Sequence, residues 1–188
     1  MKKIGTMGLV LALSLVMLTS CSLLGGILGE ERGDGYAVDG YAEGEMGDTL
    51  HTYFFDYTVN SAYLCDSFEE YEATQEGFRL LVAEVTVKNT FSESIPMYDV
   101  DFQVQWGEGA TEYDVPITYY VEAVSDQQLP DEYELETEES RTGLLVFEVP
   151  EGTEEFSISY LEYFDDGSEG DVFFVDFSAE DRSGAESV

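Results

Sequence analysis

Histidine, tryptophan and positive charge are nearly missing from this chain. His51 is the sole histidine. A Ser-His-Asp or Cys-His arrangement needs an imidazole or an equivalent base beside the nucleophile. His51 opens an extended run and Cys65 closes it, so the two are expected far beyond hydrogen-bond reach of each other. His51 is read as a surface or packing residue, and one histidine allows no Cys/His zinc spacing. Lysine and arginine number seven against 41 acidic residues. Lys2 and Lys3 precede every acid, and only Arg32, Arg79, Lys88, Arg141 and Arg182 follow Cys21, an excess of 36 acids over five bases in that stretch. So acidic a chain lacks the cations that bind phosphate, which excludes nucleic acid as the expected partner. It also argues against docking on anionic headgroups. Attraction to cations or to a basic protein is allowed, and solubility is the plainest consequence of the charge.

The N-terminus is the most specific feature. Lys2 and Lys3 form a short positive region, Ile4 to Leu18 is apolar, and Leu18-Thr19-Ser20-Cys21 places small residues before a cysteine, the layout of a secretory signal. The tetrapeptide resembles the bacterial lipobox. The resemblance implies diacylglyceryl transfer to the Cys21 sulfur and cleavage after Ser20, which leaves residues 1–20 as signal peptide. The competing reading is an uncleaved anchor helix. Ile4 to Leu28 is long enough to span a bilayer, although Gly25, Gly26 and Gly29 weaken its second half as helix. Either reading puts the remainder outside the cytoplasm and attached to the membrane. With Cys21 lipidated, Cys65 has no disulfide partner. It is either a small buried hydrophobe or a free thiol, burial being the commoner fate.

Residues 21–47 read as a tether, rich in glycine and acids and therefore flexible and extended. Within it Asp34-Gly35-Tyr36-Ala37 recurs as Asp39-Gly40-Tyr41-Ala42. Tyr41 or Met46 offers a way for its end to dock on the folded domain. From residue 48 to 178 the pattern is strand and turn. Thr49 to Leu64 is dense in β-formers, and Asp66 to Gly77 reads as an acidic loop. Between Phe78 and Asn89, Leu81, Ala83, Val85 and Val87 alternate with Glu84, Thr86 and Lys88, one apolar face and one polar. Val100 to Trp106, Tyr133 to Glu138, Thr142 to Val149, Phe156 to Tyr160 and Val172 to Phe177 are further strands, with a short one at Glu112 to Val115. Ile117 to Gln128 fits a helical turn or a loop as well as a strand. Residues 179–188 read as a polar, disordered tail. Short strands with regular turn signals and almost no helix predict an all-β fold, an antiparallel immunoglobulin-like β-sandwich of seven to nine strands, with a closed barrel as the alternative.

Three segments carry a resemblance. Phe78-Arg79-Leu80-Leu81-Val82-Ala83-Glu84-Val85-Thr86-Val87-Lys88-Asn89, then Asp101-Phe102-Gln103-Val104, then Gly143-Leu144-Leu145-Val146-Phe147-Glu148-Val149-Pro150 are similar to a family of uncharacterised immunoglobulin-like domains. That family is common in lipoproteins of Gram-positive bacteria. The resemblance covers about residues 48–178. It implies a sandwich at the cell surface and no catalytic residues.

Candidate sites are few. Asp165-Asp166-Gly167-Ser168-Glu169-Gly170-Asp171 supplies oxygen ligands beside glycines, so Asp165, Asp166 and Asp171 are calcium candidates. The order departs from the EF-hand, and a solvated hairpin turn uses the same residues. Tyr53-Phe54-Phe55-Asp56-Tyr57 and Val172-Phe173-Phe174-Val175 carry apolar side chains on both faces of a strand, so one set is core and the other is either covered or a binding patch. No carboxylate pair stands out among so many, no cofactor is called for, and no enzyme is expected. The expected function is a lipid-anchored binding or interaction module of the cell envelope that meets an envelope protein or ligand. A spacer without a ligand and a calcium-binding domain are the alternatives.

Overall fold

The computed structural model describes residues 34–107 and 111–183. Cys21 and the signal lie outside the described residues, as do 184–188 of the tail. The strands in chain order are β1 (Tyr41–Glu45), β2 (Thr49–His51), β3 (Phe55–Cys65), β4 (Ser67–Phe68), β5 (Tyr71–Glu72), β6 (Phe78–Asn89), β7 (Ile95–Tyr98), β8 (Phe102–Trp106), β9 (Glu112–Asp114), β10 (Glu132–Leu135), β11 (Ser140–Pro150), β12 (Glu155–Tyr163), β13 (Glu169–Ser178) and β14 (Glu180–Asp181). One sheet has the order β1-β13-β12-β8-β9, and the other β11-β6-β3-β14 with β2 also paired to β3. The pairs β7–β10 and β4–β5 form two small ladders beside them.

The alternating rows supply the interior. Val59, Leu81, Ala83, Val85, Val87, Leu145 and Phe147 of one sheet form a single buried cluster with Phe102, Val104, Ile158, Tyr160, Phe173 and Val175 of the other. Phe55, Tyr57, Phe102 and Tyr160 meet within it edge-on or tilted, with centroids 4.7 to 6.3 Å apart, a geometry in which each aromatic pair adds about 1 kcal/mol beyond burial.

A second cluster explains why Leu80-Leu81-Val82-Ala83 is apolar without a break. Leu80, Val82 and Val146 face away from the first cluster and are covered by Cys65, Phe68 and Ile117. The segment read as an acidic loop, Asp66 to Gly77, forms the β4–β5 ladder that contributes Phe68 to this layer. Glu148 holds it down. This buried carboxylate accepts hydrogen bonds from the Tyr71 hydroxyl at 2.8 Å, the Thr74 N–H at 2.9 Å and the Thr74 hydroxyl at 3.0 Å. Burial first, and then Glu148, push the Tyr71 phenol up to about 12. Ile117 comes from the ambiguous segment, which opens as a 3-10 turn at Ile117–Tyr119.

Three expectations need correction. First, the end of the expected tether is part of the sandwich: β1 pairs in parallel with the edge strand β13, Tyr41 opposite Val172 and Glu45 opposite Asp176. The repeated tetrapeptide prepares this, because Gly35 and Gly40 both have positive φ, the left-handed region open to glycine, and each turns the chain so that the next tyrosine pairs. Second, the tail is ordered through Ser183, with β14 parallel to β3, Glu180 opposite Tyr63 and Asp181 opposite Leu64. Both parallel pairings lay the first and last strands of the domain on sheet edges, which a wholly antiparallel reading does not provide. Third, the run Thr49 to Leu64 breaks after His51. The Thr52 hydroxyl donates to the Phe55 carbonyl at 2.8 Å and accepts the Phe54 and Phe55 N–H groups, a local bond pattern that competes with a ladder.

Candidate functional site

The break at Thr52 sets up the most distinctive surface of the molecule. It turns Tyr53 and Phe54 out of the strand row and onto one end of the sandwich. Phe91, from the β6–β7 loop, and Phe164, from the β12–β13 loop, arrive at the same place. Tyr53 lies 5.0 Å from Phe54, 5.8 Å from Phe91 and 5.5 Å from Phe164 between ring centroids, and Phe54 lies 5.5 and 5.6 Å from the latter two. Tyr53 is 61% exposed and the three phenylalanines are half-buried beneath it.

Each loop that carries a ring is fixed by a buried polar side chain. The Thr52 hydroxyl shapes the first. Asn89, fully buried at the end of β6, shapes the second: its amide donates to the Glu93 carbonyl at 2.9 Å and the Leu135 carbonyl at 2.8 Å, and its oxygen accepts the Phe91 N–H at 2.7 Å. Glu162, also buried, ties the first loop to the third. Its carboxylate accepts the Tyr53 N–H at 2.6 Å and the Asp171 N–H at 3.1 Å. Gly170 makes that reach possible, since a Cβ there would sit 2.5 Å from the Glu162 carboxylate and 2.8 Å from the Phe164 ring. Buried polar groups are costly unless satisfied. Here three of them, nearly saturated, support an exposed aromatic knob.

The sequence-derived candidates form no catalytic set: His51 and the β12–β13 loop acids lie toward this end and Cys65 at the other. His51 bonds through Nδ1 to Asp56 at 2.7 Å and stacks on Tyr36 at 4.4 Å. Cys65 ends β3, nine residues beyond Asp56, so about 30 Å of strand separates it from His51. Cys65 is buried, and burial pushes its thiol up against the opposing pull of Arg79. Asp166 caps its own turn, accepting the Ser168 N–H at 2.9 Å and the Ser168 hydroxyl at 2.6 Å, which hold its carboxyl below the usual range. Asp171 lies in β13, Asp165 is exposed, and no group of three metal-ligating side chains is assembled among the described residues. Of the two aromatic stretches, Phe55, Tyr57, Phe173 and Val175 are core, whereas Phe174 and Val172 lie half-buried on the outer face of their sheet.

Two packed sheets with an immunoglobulin-like succession of strands define a β-sandwich domain. The chain belongs to the family described as "Domain of unknown function (DUF4352)", whose model matches residues 44–171, from within β1 to the start of β13. Among solved structures it is similar in fold to a candidate lipoprotein of Bacillus subtilis, ycdA, at 17% identity and a TM-score of 0.52, over 71% of this chain and 39% of that one. This chain thus spans about two-fifths of that protein's length. Similarity extends to a candidate lipoprotein of Staphylococcus aureus (9% identity, TM-score 0.48, 75% of this chain and 97% of the other). It extends also to an uncharacterized β-sandwich protein of Clostridium difficile (12% identity, TM-score 0.38, 81% and 100%). A search of curated proteins finds no match.

Proposed function

We propose that this chain is a lipid-anchored, non-enzymatic interaction module on the extracytoplasmic side of the cell membrane, and that it meets its partner through the aromatic tip. The observation that carries this is the investment of Thr52, Asn89 and Glu162 in holding an exposed cluster of four rings. A core needs no such support for rings that face water. Aromatic anchors on a rigid frame are what binding hot spots use. The anchor is Cys21. β1 and the Tyr36–His51 pairing draw Tyr36 and the residues after it into the fold, so the expected tether ends before them. Tyr36 pairs with His51 in parallel, beside the Thr52 turn that carries the tip. The non-enzymatic reading is supported by a histidine engaged by Asp56 and Tyr36 and by a cysteine whose buried thiol resists ionisation.

The test compares envelope cross-linking by the intact lipoprotein and by a Tyr53→Ala/Phe164→Ala double variant of unchanged circular dichroism. A partner trapped by the parent and lost by at least tenfold in the variant supports the tip. Identical cross-linking profiles sink it and favour the spacer. Mass spectrometry of the mature N-terminus tests the anchor separately: diacylglyceryl-Cys21 is expected, and an unmodified Cys21 overturns that part.

A further inference from the structure

At the end of the sandwich opposite the tip, the chain crosses from one sheet to the other. β13 ends at Ser178, and after Ala179 alone β14 lies along the outer edge of β3. The Arg182 N–H donates to the Leu64 carbonyl at 2.8 Å, and the Ala179 N–H to the Glu154 carbonyl at 2.9 Å. The Arg79 guanidinium forks onto Asp181, Nη1 to Oδ2 at 3.2 Å and Nη2 to Oδ1 at 3.0 Å, and also donates to the Ser183 hydroxyl. Arg182 lies 4.4 Å over the Tyr63 ring. The two sides of this contact differ. Arg79 belongs to β6 and its side chain is 12% exposed, whereas that of Asp181 is 62% exposed. The Nε of Arg79 is buried without a partner, beside a cavity of about 540 Å³ lined by Leu64, Asp66, Glu154, Ala179 and Asp181 among others. In a chain with so few cations, one arginine is built into the sheet here and aimed at a carboxylate carried by a surface strand.

We propose that the β3 edge at Tyr63 and Leu64, together with Arg79, is a docking site for an extended peptide strand bearing a carboxylate, and that β14 is a resident strand occupying it. The site is separate from the aromatic tip and does not depend on it. Strand addition to a sheet edge gains main-chain hydrogen bonds, and a guanidinium fork adds selection for a carboxylate. The resident is short. It is two residues long with both side chains exposed, and such elements open locally far more often than a core strand. A longer strand has more to gain. β2 pairs with β3 only through Thr58 and β14 starts at Tyr63, so Asn60 to Ala62 have no neighbouring strand on this edge among the described residues. The tail competes as a tethered ligand at an effective concentration on the order of millimolar, so a free acidic peptide enters once the Asp181 contact is weakened.

The experiment is hydrogen–deuterium exchange on the full chain. Asp181→Asn is expected to speed exchange at residues 179–183 and 63–66 about tenfold or more, leaving β6 and β11 unchanged. Glu180→Gln, which keeps the Arg79 fork, is expected to behave as the parent. A synthetic peptide of residues 178–184, added in millimolar excess to the Asp181→Asn chain, is expected to restore protection at 63–66. The same peptide with asparagine in place of Asp181 is expected to fail. Parent-like exchange in Asp181→Asn, or an opened edge that the peptide does not protect, overturns the proposal.

Discussion

Asn89→Ala is expected to lower the stability of the domain by about 3–4 kcal/mol, as three hydrogen bonds are lost and their buried partners stranded, and its melting temperature by roughly 10 °C. The side chain is fully buried and uses three of its four bonding positions: two donated to the Glu93 and Leu135 carbonyls, one accepted from Phe91. Its own backbone joins in, the N–H to the Glu139 carbonyl at 2.9 Å and the carbonyl accepting from Glu138 at 3.1 Å. Asn89 therefore ties together the end of β6, the loop before β7 and the turn before β11. Alanine leaves both carbonyls and the Phe91 N–H without their partner. Asn89→Asp is the sharper variant. It keeps the size and the Phe91 contact but turns an oxygen toward two carbonyls, so it is expected to be worse than alanine at pH 7 and to recover partly in acid, where the protonated carboxyl can donate. Urea unfolding at pH 7 and pH 4 measures the energies, and near-ultraviolet circular dichroism reports the ring cluster. A loss below about 1 kcal/mol in Asn89→Ala would show that water or a rearranged loop replaces the amide.

The strands are legible in the sequence and the site only in part, its Tyr53-Phe54 stretch, because only the strand signals are local. β6 is expected at Phe78 to Asn89 and spans those residues, because its inward row is apolar and both neighbours in the sheet reinforce it. The pattern places β11 two residues short at its start and one at its end, the uncertainty that terminal residues carry. β1 escapes the pattern because its residues are largely glycine, alanine and glutamate; what makes them a strand is the free edge of β13, more than a hundred residues away. The tip escapes for a smaller reason. Tyr53 and Phe54 look like strand residues until the Thr52 hydroxyl closes its turn, and threonine suits strands equally well.

The buried acids lie between these cases. In a chain with 41 acidic residues no single glutamate stands out by type. Two stand out by position. Glu162 continues the inward row of Phe156, Ile158 and Tyr160, and Glu148 shares its outward row with Leu144 and Val146, both apolar. A charge in an apolar row is either an error of register or a pinned loop, and here both are pins. Asp99 gives no such sign, since it sits in a 3-10 turn between β7 and β8 where no row exists.

Asp99 is also where titration should show in the stability of the fold. Its side chain is buried, one oxygen accepts from the Thr118 hydroxyl, and the other has no partner. Burial raises its carboxyl to about 6, Thr118 opposes the rise, and the charge of Asp131 adds to it. Asp101 and the buried Tyr133 hydroxyl, which also lacks a partner, lie in the same field. The sign comes from the raised value. The folded state holds this proton more tightly than the unfolded chain, so folding is favoured by it in acid, and that contribution is lost as pH rises from about 4 through about 6. Asp99→Asn carries the neutral form at every pH. It is expected to be about 2 kcal/mol more stable than the parent at pH 8 and equal to it near pH 4. The difference between the two pH–stability curves cancels the acids remote from Asp99 and leaves a step centred between those values, to which Asp101 adds a smaller part because the Asp99 charge helps raise its carboxyl. Denaturant midpoints at half-unit intervals from pH 4 to pH 8 measure it. A flat difference would mean that Asp99 keeps its charge in the fold, and that a rearranged Thr118 turn or a water satisfies the free oxygen.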